Sequence, residues 1–176
     1  MKINKELASQ IQLLILDVDG VLTDGSLFYD NHGQEYKAFN SRDGHGLRML
    51  QEAGIKVAIL TGRQSELVKH RARNLNIPAE LIFQGFRDKR PAFEALLLQT
   101  GLKAQQIAYV GDDVIDLPVM TQVGLAIAVA DAHPFVKQHA AWVSHLSGGH
   151  GAVREVCEML LDARGELQTI LERYLQ

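Results

Sequence analysis

Four apolar residues, Leu13-Leu14-Ile15-Leu16, run without interruption into Asp17-Val18-Asp19-Gly20. A short continuous apolar run ending in a Gly-containing turn predicts a strand buried on both faces, as in a parallel sheet, here over about residues 11–18. Asp17 then sits where that strand ends. Asp19, two positions on, projects to the same side if extended geometry persists. Two carboxylates at the end of a buried strand are costly unless something positive meets them. Acidic turns after strands are common, so the rest of the chain has to separate a plain Asp/Gly turn from a metal-assisted phosphoryl-transfer site.

Apolar runs of the same kind return at Lys56–Leu60, Leu81–Phe83, Ile107–Val110, Leu125–Val129 and Ala141–Val143. Helical patterns separate several of them, over about residues 40–53, 65–75 and 90–100, with Gly54 and Gly101 as carboxyl-terminal stops. Further helices are expected at 152–163 and 166–175, the last with Leu167, Ile170, Leu171 and Tyr174 on one stripe, and residues 2–10 read as a short helix or arm. Strands alternating with helices predict an α/β fold with a doubly wound, mainly parallel, Rossmann-like sheet. One segment breaks the alternation. Residues 26–39 hold two strand-like stretches around Asp30-Asn31-His32-Gly33, a turn signal, and so predict a protruding β-hairpin with exposed aromatic residues. A lone hairpin is marginal in water, so it should pack on the domain or on another subunit.

Doubly wound sheets place their sites beyond the carboxyl ends of the strands. Those ends carry Asp17, Thr61, Lys89 and Asp112, the last within Gly111-Asp112-Asp113-Val114-Ile115-Asp116. Two like charges about 4 Å apart cost roughly 4 kcal/mol at an effective dielectric near 20. A divalent cation and Lys89 would relieve several such pairs. An all-oxygen donor set favours Mg²⁺. In phosphoryl transfer Asp17 can act as nucleophile, Asp19 as proton donor to the leaving alkoxide and then activator of water, Thr61 as a holder of phosphoryl oxygens, Lys89 as neutralising charge and Asp112 as metal anchor. Each has a plainer role open to it: Thr61 as a turn residue, Lys89 as a solvated helix-start lysine, Asp112-Asp113 as a helix cap. Asp116 is better suited to orienting its neighbours or capping a turn than to holding metal.

The 176 residues, 47% hydrophobic and 22% charged, suit one globular domain over 1–176. A net charge of −3 gives no reason to expect a nucleic acid or an anionic membrane as partner. Cys157, the sole cysteine, rules out an intrachain disulfide, fits a reducing, cytoplasmic setting and reads as a small core residue. Seven scattered histidines offer no zinc spacing. No signal peptide is expected, since no apolar run follows Lys2 and Lys5, and no segment approaches a membrane span.

Asp17-Val18-Asp19-Gly20, Leu60-Thr61-Gly62-Arg63, Lys89 and Gly111-Asp112-Asp113-Val114-Ile115-Asp116 together resemble the four motifs of the haloacid dehalogenase-like phosphatases. The resemblance implies catalytic roles for Asp17, Asp19, Thr61 and Lys89 and a Mg²⁺ held by Asp17, the backbone carbonyl of Asp19 and Asp112. Members usually carry a cap domain, but here the intervals on either side of Thr61 hold only the hairpin and single elements, which implies a capless chain. A finer resemblance, to the 3-deoxy-D-manno-octulosonate 8-phosphate phosphatases, rests also on the hairpin, on Phe39 to Gly44 and on Gly148-Gly149-His150-Gly151-Ala152-Val153-Arg154-Glu155. It implies Mg-dependent hydrolysis of a phosphorylated sugar acid in lipopolysaccharide precursor synthesis. It also implies substrate contacts from Asp19, Asn40, Ser41, Arg42, Asp43, Gly44, Arg48, Arg63, Arg71 and Lys89. A homotetramer built on hairpins, with a carboxyl-terminal tail (152–176) reaching a neighbour, is implied as well. Arginine suits a sugar-acid carboxylate because its fork binds both oxygens. Two positions depart from the pattern: His150 stands where relatives often have arginine, and Leu117 where they often have tryptophan. The rivals are a phosphatase for a related nonulosonate 9-phosphate, a catalytically silent tetramerisation module, and a phospho-accepting receiver, whose order of acidic motifs does not fit.

Overall fold

The buried strand that runs into Asp17 lies at the centre of the architecture. In a computed structural model, which describes residues 4–176, the chain runs α1 (Lys5–Ser9), β1 (Leu13–Leu16), β2 (Phe28–Tyr29), β3 (Glu35–Tyr36), α2 (Ser41–Glu52), β4 (Lys56–Thr61), α3 (Glu66–Asn74), β5 (Ile82–Gln84) and α4 (Arg90–Thr100). It continues through β6 (Ile107–Gly111), α5 (Leu117–Met120), β7 (Leu125–Ala128), α6 (Pro134–His139), β8 (Trp142–Val143), α7 (Ala152–Ala163) and α8 (Leu167–Glu172). Six strands form one parallel sheet in the order β5-β4-β1-β6-β7-β8. All four residues of β1 are fully buried. Each such leucine or isoleucine is worth about 1.5–3 kcal/mol relative to exposure.

The chain winds outward from β1 to β4 and β5, then returns to place β6 on the other flank of β1. The strand order therefore reverses between β1 and β6, and a crevice opens at their carboxyl ends. Register fixes what faces it. Leu16 pairs with Ile59 on one side and Val110 on the other, so Asp17 follows in level with Leu60 and Gly111. Asp112 and Thr61 emerge one step beyond.

Local chemistry sets the helix ends. The Asn40 side chain accepts a hydrogen bond from the Arg42 N–H at 2.9 Å and starts α2. Gly101, at φ 68°, closes α4. β2 and β3 form the expected antiparallel hairpin, with only two residues in each strand, and Asp30 ties its turn by accepting from the N–H groups of His32 and Gln34. No cap domain is present among the described residues.

Several expectations need correction. Strand β1 is shorter than 11–18, since Val18 already belongs to a turn. Leu81 lies in a 3₁₀ turn before β5. α1 is confined to Lys5–Ser9, and residues 2 and 3 of the expected arm lie outside the described residues. Of the apolar stripe at 166–175 only Ile170 is buried; Leu171 and Tyr174 are exposed, and Tyr174 stacks edge-on against His45 of α2. α5 and α6, of four and six residues, are too short to show a helical stripe in sequence. Cys157 is fully buried on α7, where burial raises its thiol pKa, in keeping with a core role.

Candidate active site

The crevice between β1 and β6 is a cleft of about 250 Å³ lined by Asp17, Asp19, Gly25, Thr61, Gly62, Arg63, Asp112, Asp113 and Ile115. A larger hollow of about 550 Å³ lies at the opposite, amino-terminal end of the sheet, between Ile55, Lys56, Pro78 and Thr100. That hollow gathers no carboxylate cluster. Chemistry belongs to the smaller cleft.

Lys89, for which the sequence leaves open either a neutralising charge in the site or a solvated helix-start lysine, is fully buried. Its ammonium lies 2.8 Å from Asp17 Oδ2 and 2.6 Å from Asp116 Oδ1, and donates to the Tyr109 hydroxyl at 2.9 Å. Burial opposes the ammonium, but Asp17 and Asp116 outweigh it and raise the lysine's pKa above its usual value. Asp116 is fully buried as well. Its Oδ1 also accepts from the Tyr109 hydroxyl at 2.7 Å, and its Oδ2 accepts from the backbone N–H groups of Asp112 at 2.9 Å and Asp113 at 3.2 Å. With those bonds made, Asp116 orients Lys89 and the loop after β6.

Asp17 accepts from its neighbour's Val18 N–H at 2.6 Å through Oδ1 and meets Lys89 through Oδ2. Burial, with repulsion from Asp116, pushes its carboxyl up to about 7 despite the nearby lysine. Asp112 is pushed up to about 8, again by burial first and then by Asp116, Asp17 and Asp113. One lysine cannot neutralise three carboxylates. Oxygens of Asp17, Asp112 and Asp116 lie within 4.8 Å of one another, and Asp112 Oδ1 is buried without a hydrogen-bond partner. Three clustered carboxylates, one of them with an orphaned oxygen, in an all-oxygen set fit a hard divalent cation such as Mg²⁺. Both oxygens of Asp116 already serve Lys89, Tyr109 and the loop after β6, whereas Asp17 Oδ1 has only the Val18 N–H and Asp112 Oδ1 has no partner, so Asp17 and Asp112 offer the freer oxygens of the three.

The loop carrying Asp17 and Asp19 is shaped by close backbone approaches. Gly20 adopts φ 87°, and a Cβ there would come within 2.1 Å of Asp112 Oδ2. Gly148, from the segment before α7, lies so close that its Cβ would meet the Gly20 carbonyl oxygen at 1.8 Å. Thr23 Oγ1 accepts from the Gly25 N–H at 3.2 Å inside the same turn.

Thr61 is buried at the end of β4 and lines the cleft, as does Arg63. Arg63 donates to Glu35 Oε1 at 2.7 Å and to the Tyr29 hydroxyl at 2.8 Å, both on the hairpin. Asp19 lines the cleft too, with its carboxylate paired to Lys37. Asn40, Ser41, Arg42, Asp43, Gly44, Arg48 and Arg71 do not line it. Arg48 pairs with Glu52 on an exposed face of α2. Arg71 donates to the Asn40 carbonyl at 3.1 Å and stacks over Phe39. Asp43 is buried and accepts from the Arg154 N–H at 2.8 Å at the start of α7, which ties α7 to α2; burial raises its pKa. Arg42 borders a separate hollow with His145 and Arg154.

Tyr109, Lys37 and Glu35 were not singled out in sequence. Tyr109 reads as one more apolar strand residue, and the hairpin's alternation says nothing about where its charges reach.

Known proteins share this fold and much of this sequence. The haloacid dehalogenase-like hydrolase family matches residues 79–155, which include Lys89 and Asp112. The 3-deoxy-D-manno-octulosonate 8-phosphate phosphatase of Salmonella typhi is 52% identical over 160 residues, 91% of this chain and 84% of the relative. A crystal structure of the Yersinia pestis 3-deoxy-D-manno-octulosonate 8-phosphate phosphatase superposes with a TM-score of 0.90 at 49% identity, covering 93% of this chain and 88% of that one. The Moraxella catarrhalis phosphatase of the same name, solved with a magnesium ion, a phosphate ion and a KDO molecule, superposes with a TM-score of 0.93 at 38% identity, covering 97% of each chain. Fold, acidic cleft and sequence agree: the chain belongs to the haloacid dehalogenase-like hydrolases, in the family of the 3-deoxy-D-manno-octulosonate 8-phosphate phosphatases.

Proposed function

We propose that the chain is a Mg²⁺-dependent phosphatase that releases phosphate from 3-deoxy-D-manno-octulosonate 8-phosphate through an aspartyl phosphate on Asp17. The observation that carries this is the placement of Asp17 at the strand-order reversal, between buried Lys89 and the partnerless oxygen of Asp112. Asp17 and Asp112 would hold Mg²⁺ together with the Asp19 carbonyl. When bound, the ion supplies positive charge against the phosphoryl oxygens.

Asp17 attacks phosphorus as the bond to the sugar oxygen breaks. Asp19 gives its proton to the departing alkoxide, then takes one from a water, whose oxygen attacks phosphorus and frees Asp17 and inorganic phosphate. Lys89 keeps Asp17 in place and offsets its charge. Thr61 holds a phosphoryl oxygen, and Arg63 stands at the rim for the anionic end of the substrate. Asn40, Ser41, Arg42, Asp43, Gly44, Arg48 and Arg71 are proposed as the wider substrate-binding set, with Asp43 acting through α7.

The remaining assignments follow from the family. The chain works as one domain over 1–176 in the cytoplasm and assembles as a homotetramer through hairpins whose Leu27, Phe28, Tyr29 and Tyr36 are about half exposed. Its product supplies lipopolysaccharide precursor synthesis. No helix among the described residues is long and apolar enough to cross a membrane.

Phosphate release from octulosonate 8-phosphate and nonulosonate 9-phosphate, side by side with hexose phosphates, tests the reading. Turnover of the octulosonate ester first, abolished in Asp17→Asn and by chelation of Mg²⁺, is expected. Preference for the nonulosonate ester would move the substrate; full activity of Asp17→Asn would remove the mechanism.

A further inference from the structure

The hairpin is largely exposed, yet one of its charged side chains is not. Lys37, just beyond β3, is only 2% exposed along its side chain. It reaches down from the hairpin, and its ammonium hydrogen-bonds Asp19 Oδ1 and lies 3.4 Å from Glu35 Oε1. The same Glu35 oxygen takes Arg63 at 2.7 Å. Asp19, Lys37, Glu35 and Arg63 therefore form a chain of alternating charge that starts on the loop after β1, crosses the hairpin and ends on the loop after β4. Burying a lysine costs several kcal/mol unless anions meet it, and here two do. Lys37 does not line the cleft.

We infer that Lys37 is a positioning residue for Asp19, fixing the carboxylate that carries the leaving group's proton. The inference rests on the assignment of Asp19 above. Asp19 lies between Val18 and Gly20, in a turn whose glycine adopts a positive φ, and no other side chain among the described residues hydrogen-bonds its carboxylate. Without Lys37 that carboxylate has no fixed direction. With Oδ1 held by the ammonium, Oδ2 is left to bear the proton at the departing oxygen and afterwards to receive one from water. Misplacement of a reacting group by about 1 Å can cost about 100-fold in rate. Lys37 exchanges no proton and touches no reacting atom. The hairpin is thus a working part of the active site of its own chain.

The leaving group separates this role from others. An alkyl ester such as octulosonate 8-phosphate needs its oxygen protonated; p-nitrophenyl phosphate has a good leaving group and needs less help. Both esters are followed in the Mg²⁺-loaded full chain, with Lys37→Met and Lys37→Arg. Lys37→Met is expected to lose about 100-fold in kcat/KM on the alkyl ester and at least about tenfold less on the aryl ester, in the range of a lost general acid. Lys37→Arg, which keeps the charge, restores most of the loss. The inhibition constant of inorganic phosphate stays at the wild-type value. Lys37→Gln gives the same comparison should the methionine variant not fold.

Equal losses on the two esters would make Lys37 a purely structural support and overturn the inference. A weakened inhibition by inorganic phosphate would make it a phosphate ligand, with the same consequence. Failure of the wild type on both esters would instead remove the phosphatase assignment, and the inference with it.

Discussion

Lys89 and Asp17 make an ion pair of 2.8 Å in which the lysine has no exposed surface. Asp17, the proposed nucleophile, is thus anchored from beneath, by a residue whose other bonds, to Asp116 and Tyr109, tie β6 and the loop after it to the start of α4. Removing one partner of a buried pair leaves the other charge uncompensated. Lys89→Met is expected to lose about 3–5 kcal/mol of stability in urea unfolding. It should also lose turnover. Adding Asp116→Asn should recover part of the stability, because the two side chains share one network. A single variant within about 1 kcal/mol of wild type would mean the buried lysine offsets nothing.

The raised carboxyls carry a pH signature in the metal-free protein. Asp17 at about 7 and Asp112 at about 8 hold protons in the folded state that the unfolded chain releases near 3.8. The folded state therefore binds more protons through this window, so stability is fullest below the lower value and falls as pH rises through the upper ones. Mg²⁺ competes with the same protons. The thermal shift produced by saturating Mg²⁺ should accordingly be larger at about pH 8 than at about pH 6. A shift independent of pH would place the ion away from Asp17 and Asp112.

Gly20 offers a test of how closely the loop after β1 approaches Asp112. Gly20→Ala sets a methyl 2.1 Å from Asp112 Oδ2 and also strains a φ of 87°. Gly33→Ala, in the hairpin turn, strains a similar φ of 78° with nothing within 4 Å. Strain alone is worth about 1–2 kcal/mol and should appear in both melting curves. Only Gly20→Ala should weaken Mg²⁺ binding and cut turnover, by about 100-fold. Equal effects of the two on activity would show that the close approach is incidental.

Much of this was legible in the sequence for definite reasons. The apolar runs ending in Asp17, Thr61 and Asp112 announce strands buried on both faces, and the doubly wound order brings such ends together. The inward turn of Lys89 was open only as one possibility, because a lysine at a helix start gives no local sign of burial. Asp116 reads in sequence as a residue that orients its neighbours or caps a turn, and its bonds to Lys89, Tyr109 and the N–H groups of Asp112 and Asp113 agree with that. Tyr109 was not: its hydroxyl partners are Lys89 and Asp116, and strand periodicity records the face, not the partner. Lys37 escaped for the same reason. Arg48 gained a substrate role only by resemblance, and within one chain it faces solvent beside Glu52.

The hairpin's outer face supplies the last prediction. Leu27, Phe28, Tyr29 and Tyr36 are each about half exposed, on a ribbon of two-residue strands that would be marginal alone. Cross-strand pairing puts Phe28 and Tyr36 on one side of the ribbon and Tyr29 with Glu35 on the other, where they meet Arg63, so the exposed Phe28–Tyr36 pair is the surface on which the proposed assembly would rest. Removal of residues 27–38 should lower the mass in light scattering from that of the proposed tetramer to that of a dimer or monomer. Because that deletion also removes Lys37 and Glu35, lost turnover would not by itself report on assembly. Phe28→Glu avoids this: it puts a charge on the outer face, leaves Lys37, Glu35 and Arg63 in place, and should lower the mass in the same way. A mass unchanged in both variants would mean that the subunits meet elsewhere, and that the hairpin serves only the cleft beneath it.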